Sequence, residues 1–218
     1  MDATGWATIS SLPTAGGTLV LAVATFGSVR SANKAARTAE RTLLEGIRPL
    51  LVPSRIQDPM EKISFADQHW LRVPGGQGVV EVTDDVVYLG MALRNAGRGM
   101  AVLHGWWACE GASASNQRPD HAAVEDFRRL TRDIYIGAGE LGFWQGALRD
   151  PKEPLFAELV GAAKNAQPIT IEMLYSDQEG GQRALSRISL LPHQDDEGVL
   201  RWLAAVSRHW HLDRAAPR

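Results

Sequence analysis

Histidines and aspartates near the end of the chain are the residues best suited to metal chemistry. The set comprises His193, Asp195, Asp196, His209, His211 and Asp213. If residues 209–213 are extended, alternate side chains of that segment point to one face, and imidazole and carboxylate groups are common metal ligands. Because no HExxH or cysteine-rich motif accompanies them, we predict no metal and expect surface histidines around a packed Trp210. The alternative is a metal site formed by His193, His209, His211 and Asp213.

A second polar cluster has residue types that hydrolysis could use. It consists of Asp120, His121, Glu125 and Asp126, which follow a segment containing Ser113 and Ser115. A serine hydrolase needs a nucleophile, a base and an acid that orients the base. The nucleophile-elbow motif GxSxG does not occur in the sequence. We therefore expect a solvated loop and predict no catalytic residue.

Two glycine-rich segments have the composition of phosphate-binding loops. They are Gly-Gly-Gln-Gly at residues 75–78 and Gly-Ala-Gly at residues 137–139. Neither is followed by the Lys-Ser/Thr pair of a P-loop, and neither has the required strand–helix context. We interpret both as turns and predict no cofactor.

Tryptophan and arginine supply the strongest indication of binding. Trp106 and Trp107 are adjacent, so in a strand they point to opposite faces. Arg128, Arg129 and Arg132 follow in the next segment. Because Trp and Arg are enriched in protein interfaces, we predict an interaction surface formed by Trp106, Trp107, Arg128, Arg129 and Arg132. The alternative is that both faces of the strand are covered within the fold.

The beginning of the chain predicts a membrane anchor. Residues 5–29 are uncharged, and residues 12–29 are the most apolar part. About 20 apolar residues suffice to cross a bilayer, and the flanking residues would be Trp6, Arg30, Lys34, Arg37 and Arg41. The basic side predicts a single-pass inner-membrane protein with its N-terminus outside and its C-terminal domain cytoplasmic. A cleaved signal peptide and a buried helix of a soluble protein are the alternatives.

The anchor helix is expected to continue beyond the bilayer. We assign a tail to residues 1–11 and a transmembrane helix, continuing as a basic juxtamembrane helix, to residues 12–47. An alanine-rich stripe from Ala32 to Ile47 has helical spacing. Two alternatives stay open: the stripe pairs with a second copy of the chain as a homodimer, or the basic face contacts anionic lipid headgroups.

The remaining residues, 48–218, have the pattern of a β domain. Short apolar runs separated by turn residues predict strands, most clearly over residues 86–94, and a hairpin from residues 169–175 and 183–191. A short helix is expected over residues 154–166, whereas residues 199–212 fit either a helix or a strand. We predict a mainly β fold, an antiparallel immunoglobulin-like β-sandwich.

Composition limits the classes of partner. The formal net charge is -2 and the isoelectric point is near 6.3, which gives no reason to expect a nucleic-acid partner. Cys109 is the only cysteine, so an intrachain disulfide is impossible. This is consistent with a reducing compartment.

Several segments together resemble a group of uncharacterised bacterial proteins common in actinobacteria. They are Arg-Pro-Leu-Leu-Val at 48–52, Leu-Arg-Asn-Ala-Gly-Arg-Gly-Met-Ala at 93–101, Tyr-Ser-Asp at 175–177, Gly-Gly-Gln-Arg at 180–183 and Arg-His-Trp-His-Leu-Asp at 208–213. The resemblance implies a single-helix membrane protein with a cytoplasmic β-sandwich, and it implies no activity. Met100 stands where the group usually has proline, which puts the turn type in doubt.

These patterns lead to a functional prediction. We predict a membrane-tethered cytosolic β-sandwich that binds another, unidentified protein or serves as an accessory subunit, since tethering raises its concentration near membrane partners. The alternative is a small-molecule or metal-dependent enzyme or sensor whose site contains His193, His209 and His211.

Overall fold

The computed structural model describes residues 4–111 and 120–214, and it describes side chains from residue 21 onward within the first range. The chain divides into two units, residues 1–46 and residues 47–218. The first unit contains helix α1, Thr4–Gly46. Helix α1 therefore includes most of the predicted tail as well as the predicted anchor.

The predicted membrane span is wrong. Among the residues that the structure describes, no helix is both long enough and apolar enough to cross a membrane. Length is not the limiting property, because α1 has 43 residues and about 20 suffice. Glycine, serine, threonine and alanine dilute the apolar character of the segment. The predicted single-pass inner-membrane localisation, with the N-terminus outside, is not supported.

The second unit contains eleven strands among its described residues. The strands are β1 Leu51–Pro53, β2 Glu61–Ser64, β3 Trp70–Val73, β4 Gln77–Val82, β5 Val87–Asn95, β6 Ala101–Glu110, β7 Arg128–Ile136, β8 Leu141–Leu148, β9 Ile169–Ser176, β10 Ala184–Gln194 and β11 Leu200–His211. One 3-10 turn, Val124–Asp126, precedes β7, and helix α2, Pro154–Lys164, precedes β9.

Nine strands form one curled antiparallel sheet. Its order is β1-β5-β4-β11-β10-β9-β6-β7, and β8 pairs with β5. Strands β4 and β11 join its two halves through only Gly78–Trp202 and Gln77–Leu203. The mainly β antiparallel class is therefore confirmed, whereas the immunoglobulin-like type stays a prediction.

The ambiguous C-terminal segment is strand β11. It pairs with β10 from Leu200 to His211, so the helical spacing of its apolar residues is overridden by sheet formation. The predicted hairpin is also present, because β9 and β10 are antiparallel neighbours.

The core lies between the halves of the curled sheet. Strand β5 directs Leu89, Met91 and Leu93 into it, all with no exposed surface. The other face of β5 is covered by the small β2–β3 sheet, which packs Ile63 and Leu71 beneath Tyr88 and Ala92. Helix α2 adds apolar residues from one side, namely Phe156, Leu159 and Ala162.

The turn after β5 is ordered by one buried amide. Asn95 accepts hydrogen bonds from the backbone N–H groups of Leu50 and Gly97, and it donates to the carbonyls of Gly99 and Ile136. All four hydrogen-bonding positions of the amide are thus used. A Cβ atom at Gly99 would lie only 1.7 Å from the Ile47 carbonyl oxygen, so this close backbone approach requires glycine.

Candidate functional site

His104 lies at an irregularity in β6, the strand next to the edge strand β7. On β9, Leu103 pairs with Tyr175 and Gly105 pairs with Leu174, so His104 is an extra residue between two successive pairs. On β7, the same two residues pair with Ile134 and Arg129. Bulges redirect side chains and are common beside functional sites, so this position is a candidate site.

Two polar groups contact the imidazole of His104. Its Nε2 atom lies 2.7 Å from Ser176 Oγ, and its Nδ1 atom lies 3.5 Å from Asp133 Oδ1. Ser176 Oγ also donates to the carbonyl oxygen of Asp177 at 2.7 Å. Because a hydroxyl has one proton, Ser176 must accept its second hydrogen bond from His104 Nε2–H.

This direction of hydrogen bonding differs from that of a serine hydrolase. A nucleophilic serine donates its proton to the histidine, whereas Ser176 donates to a backbone carbonyl. Ser176 is also only 1% exposed. The contacts thus hold His104 in place, and the geometry favours binding over nucleophilic catalysis.

A groove of about 580 Å³ opens beside His104. This volume is within the range of small-molecule sites. The groove is lined by His104, Gly105, Val124, Phe127, Arg129, Leu130, Asp133, Leu174, Ser176, Gly180 and Arg183. Basic side chains, one acid and apolar side chains therefore face a common space.

A buried ion pair fixes the neighbouring surface. The side chains of Glu172 on β9 and Arg187 on β10 are completely buried, with Arg187 Nε 2.7 Å from Glu172 Oε1. Arg187 Nη2 also donates to the carbonyl of Asp120 at 2.6 Å, and the N–H of Ala122 donates to Glu172 Oε2 at 2.8 Å. Residues 120–122 are thereby held against the outer face of the sheet.

Two residues of the predicted polar cluster, Asp120 and His121, thus contact the sheet. Asp120 contributes its carbonyl, not its carboxylate, to Arg187. His121 packs edge-to-face on Trp210, with 5.6 Å between ring centroids. Ser113 and Ser115 lie outside the described residues.

The predicted metal-ligand residues are held by other contacts. His209 Nδ1 lies 2.7 Å from Ser186 Oγ, and Ser186 donates to the Leu51 carbonyl. His211 Nδ1 lies 3.2 Å from Arg48, which also binds Asp213. Burial lowers the pKa of both histidines, and the neighbouring His211 and Arg48 add to this effect at His209 and His211 respectively.

His193 does not join these residues. In the β10–β11 ladder His211 pairs with Ala184, whereas His193 pairs with Arg201. Nine residues of strand separate the two positions, which corresponds to roughly 30 Å. Within the described part of the chain, no group of three or more His, Cys, Asp or Glu residues is placed to hold a metal ion.

The predicted interaction residues lie on both faces of the sheet. Trp106 is 3% exposed and packs edge-to-face on Trp144 at 5.5 Å, so it belongs to the core. Trp107 is half-buried on the other face, opposite Glu172 in the β6–β9 ladder. Arg128 pairs with Glu153 at 2.5 Å, whereas Arg129 and Arg132 are exposed on β7.

The predicted membrane-flanking cations lie on α1. Arg30, Lys34, Arg37 and Arg41 are exposed there, and the side chain of Trp6 is outside the described residues. Their predicted role as a membrane flank depended on the span that the structure does not support.

Sequence reasoning missed His104, Asp133 and Ser176. They are far apart in the chain, and contact between them depends on strand order. One signal was present: His104 interrupts an apolar run and is followed by Gly105. An isolated glycine inside a strand pattern indicates a bulge.

Comparisons with known proteins give little information on identity. No family model matches the chain. The adenine deaminase of Desulforamulus reducens is 31% identical over 93 residues, which span 41% of this chain and 16% of that protein. A solved structure of a protein from Archaeoglobus fulgidus aligns with 65% of this chain and 96% of its own length, at 10% identity and a TM-score of 0.25. A likeness this weak carries no argument about the fold.

Proposed function

We propose that this chain is a protein-binding module that recognises a partner along the edge strand β7. The single observation that supports this function is the position of β7: among the described strands it pairs only with β6. An unpaired edge presents a row of backbone N–H and C=O groups that can accept another strand.

The side chains of β7 favour a protein partner. Tyr135 is 61% exposed. An exposed tyrosine can bury considerable apolar area when a partner covers it. Arg129 and Arg132 are exposed on the same strand. Tyrosine and arginine are enriched among residues that dominate binding energy, so the edge combines backbone and side-chain groups suitable for recognition.

The surroundings of β7 support the same proposal. Strands β7 and β8 are consecutive in the chain, yet β7 pairs with β6 and β8 pairs with β5. Each therefore ends one side of the curled sheet. We infer that the two sides form an immunoglobulin-like sandwich, in which edge strands are the usual positions for strand addition.

A charge-reversal experiment tests the proposed edge. The Arg132→Glu variant, used as bait in an extract of the native host, should recover much less of the partner that the unchanged protein recovers. Arg72→Glu is the matched control, because Arg72 is exposed on the separate β2–β3 sheet. Equal recovery with both variants would contradict binding at β7.

A second interaction is proposed for α1, in which two copies of the chain pair through this helix. Phe26 is 70% exposed and Leu43 is 67% exposed, and Val29 and Leu44 are also exposed. At 3.6 residues per turn these four positions fall within an arc of about 100°. An exposed apolar stripe of this kind is typical of helix pairing. Sedimentation of the full chain should give a dimer mass, and Phe26→Ser with Leu43→Ser should give a monomer mass.

A further inference from the structure

We propose that the groove beside His104 binds a small organic oxyanion, a carboxylate or phosphate attached to an apolar group. In this arrangement Arg129 and Arg183 bind the oxyanion, and Phe127, Leu130 and Leu174 contact the apolar part. The groove shares Arg129 with the β7 edge, but its ligand is a small molecule, so the proposal goes beyond the function proposed above.

The register of β7 creates the space. Leu103 pairs with Ile134, and Gly105 pairs with Arg129. Four residues of β7, 130–133, therefore lie opposite the single residue His104. The surplus residues cannot pair with β6, and the groove of about 580 Å³ opens at this irregularity, with Leu130 and Asp133 in its lining.

The charge of the groove selects an anion. Arg129 and Arg183 line it from two different elements, β7 and the segment before β10. Within the described part of the chain, neither guanidinium has an ion-pair partner. Asp133 is the acid in the lining, and it lies 3.5 Å from His104. Two guanidinium groups and one carboxylate thus line the groove, which leaves it net positive, and guanidinium groups bind carboxylates and phosphates through paired hydrogen bonds.

The apolar lining selects the rest of the ligand. Phe127 and Leu174 belong to the apolar cluster that also contains Leu185 and Trp210, and Leu130 packs against the main core. Packing in these clusters holds the three side chains in place, and Phe127, Leu130 and Leu174 also line the groove. Small-molecule sites combine such apolar walls with a few placed polar groups.

The polar walls are fixed before a ligand arrives. Ser176 holds His104, and the carbonyl of Asp177 accepts a hydrogen bond from the N–H of Gly180 at 3.1 Å. The Asp177 carboxylate accepts another from the N–H of Gln182 at 3.1 Å. The turn that precedes Arg183 is therefore held at its base, which reduces the entropy lost on binding.

Titration of the full-length chain with phenyl phosphate and with phenylacetate tests the proposal. Inorganic phosphate and phenol are the comparison compounds, because each has only half of the proposed ligand chemistry. At least one of the two aromatic anions should bind saturably and shift the backbone amide signals of Phe127 and Gly180. Phosphate and phenol should bind more weakly.

Matched variants locate the binding. Arg129→Gln combined with Arg183→Gln should weaken the aromatic anion at least about tenfold, as expected for loss of charge-assisted hydrogen bonds. Arg72→Gln, on the separate β2–β3 sheet and outside the lining, should leave affinity unchanged. All three side chains are exposed, so these substitutions should leave the fold intact. An unchanged melting temperature will verify this. No saturable binding of either aromatic anion, or equal affinity in the double variant, would overturn the proposal.

Discussion

Arg48 binds Asp213 through two parallel hydrogen bonds, 3.0 Å from Nη1 to Oδ1 and 2.6 Å from Nη2 to Oδ2. Arg48 precedes β1, and Asp213 follows β11. The pair therefore joins the first and last segments of the β unit. Bidentate geometry of this kind is among the stronger forms of ion pairing.

The Arg48–Asp213 pair predicts a dependence of stability on pH. Hydrogen bonds from Arg48 hold the pKa of Asp213 below its usual value. Its stabilising effect is therefore fully present above the usual aspartate pKa and is lost as pH falls through the lowered folded-state pKa. We expect Asp213→Asn to reduce the free energy of unfolding by about 1 kcal/mol at neutral pH. Urea unfolding at several pH values should show this difference shrinking in acid, and a constant difference would contradict the assignment.

The half-buried histidines His209 and His211 predict a second pH effect, at higher pH. Burial lowers the pKa of His209 and His211 in the folded protein, so the unfolded state takes up protons first as pH falls. Stability is then highest above the usual histidine pKa and decreases as pH falls from there toward the lowered values. His209→Gln should flatten the dependence of unfolding free energy on pH in this range. A profile for His209→Gln with the same slope as that of the unchanged protein would contradict this assignment.

The buried Glu172–Arg187 pair predicts a large loss of stability on removal of one partner. Arg187→Met leaves the Glu172 carboxylate buried without its cation, which typically costs about 3–5 kcal/mol. Chemical denaturation measures this loss. Arg201→Gln breaks an exposed pair with Asp195 and should change stability little. Equal losses of stability in the two variants would contradict the large cost expected for breaking the buried pair.

Two glycines predict opposite effects of the same substitution. Gly99→Ala places a Cβ atom 1.7 Å from the Ile47 carbonyl oxygen, so the turn after β5 must shift and the domain should lose stability strongly. Gly161 lies within α2, and a Cβ atom added there would meet open space. Gly161→Ala should therefore stabilise the protein by up to about 1 kcal/mol. Thermal unfolding of the two variants distinguishes these outcomes.

The adjacent tryptophans predict separate effects on stability and binding. Trp106→Ala removes a core side chain that packs on Trp144 and should cost about 3–5 kcal/mol. Trp107 is half-buried on the other face. Trp107→Ala should therefore weaken partner recovery more than it lowers the melting temperature. An equal loss of both properties in the Trp107 variant would assign that residue to the core as well.

The parts of the fold that follow from local patterns were predictable. Strand β5 was visible because Leu89, Met91 and Leu93 alternate, and all three are buried. Strand β11 was ambiguous because its apolar spacing fits a helix too, and only pairing with β10 decides it. The membrane span was predicted from an uncharged run. A segment without charges is not necessarily apolar enough to cross a membrane.

The candidate site could not be predicted by the same means. His104 contacts Ser176, which is 72 positions later in the chain, and this contact exists because β6 pairs with β9. The groove depends on four residues of β7 that lie opposite the single residue His104. A register shift of this kind arises from sheet formation, so a pattern of residue types along one strand does not reveal it.

Site-specific photo-crosslinking from Tyr135 in the native host tests the proposed β7 interface most directly. A photoreactive phenylalanine analogue placed at Tyr135, which is 61% exposed on β7, should give a discrete adduct with one partner protein. The same analogue at Val206, which is 44% exposed on β11, should give no such adduct. An adduct from Val206 and none from Tyr135 would contradict recognition through the β7 edge.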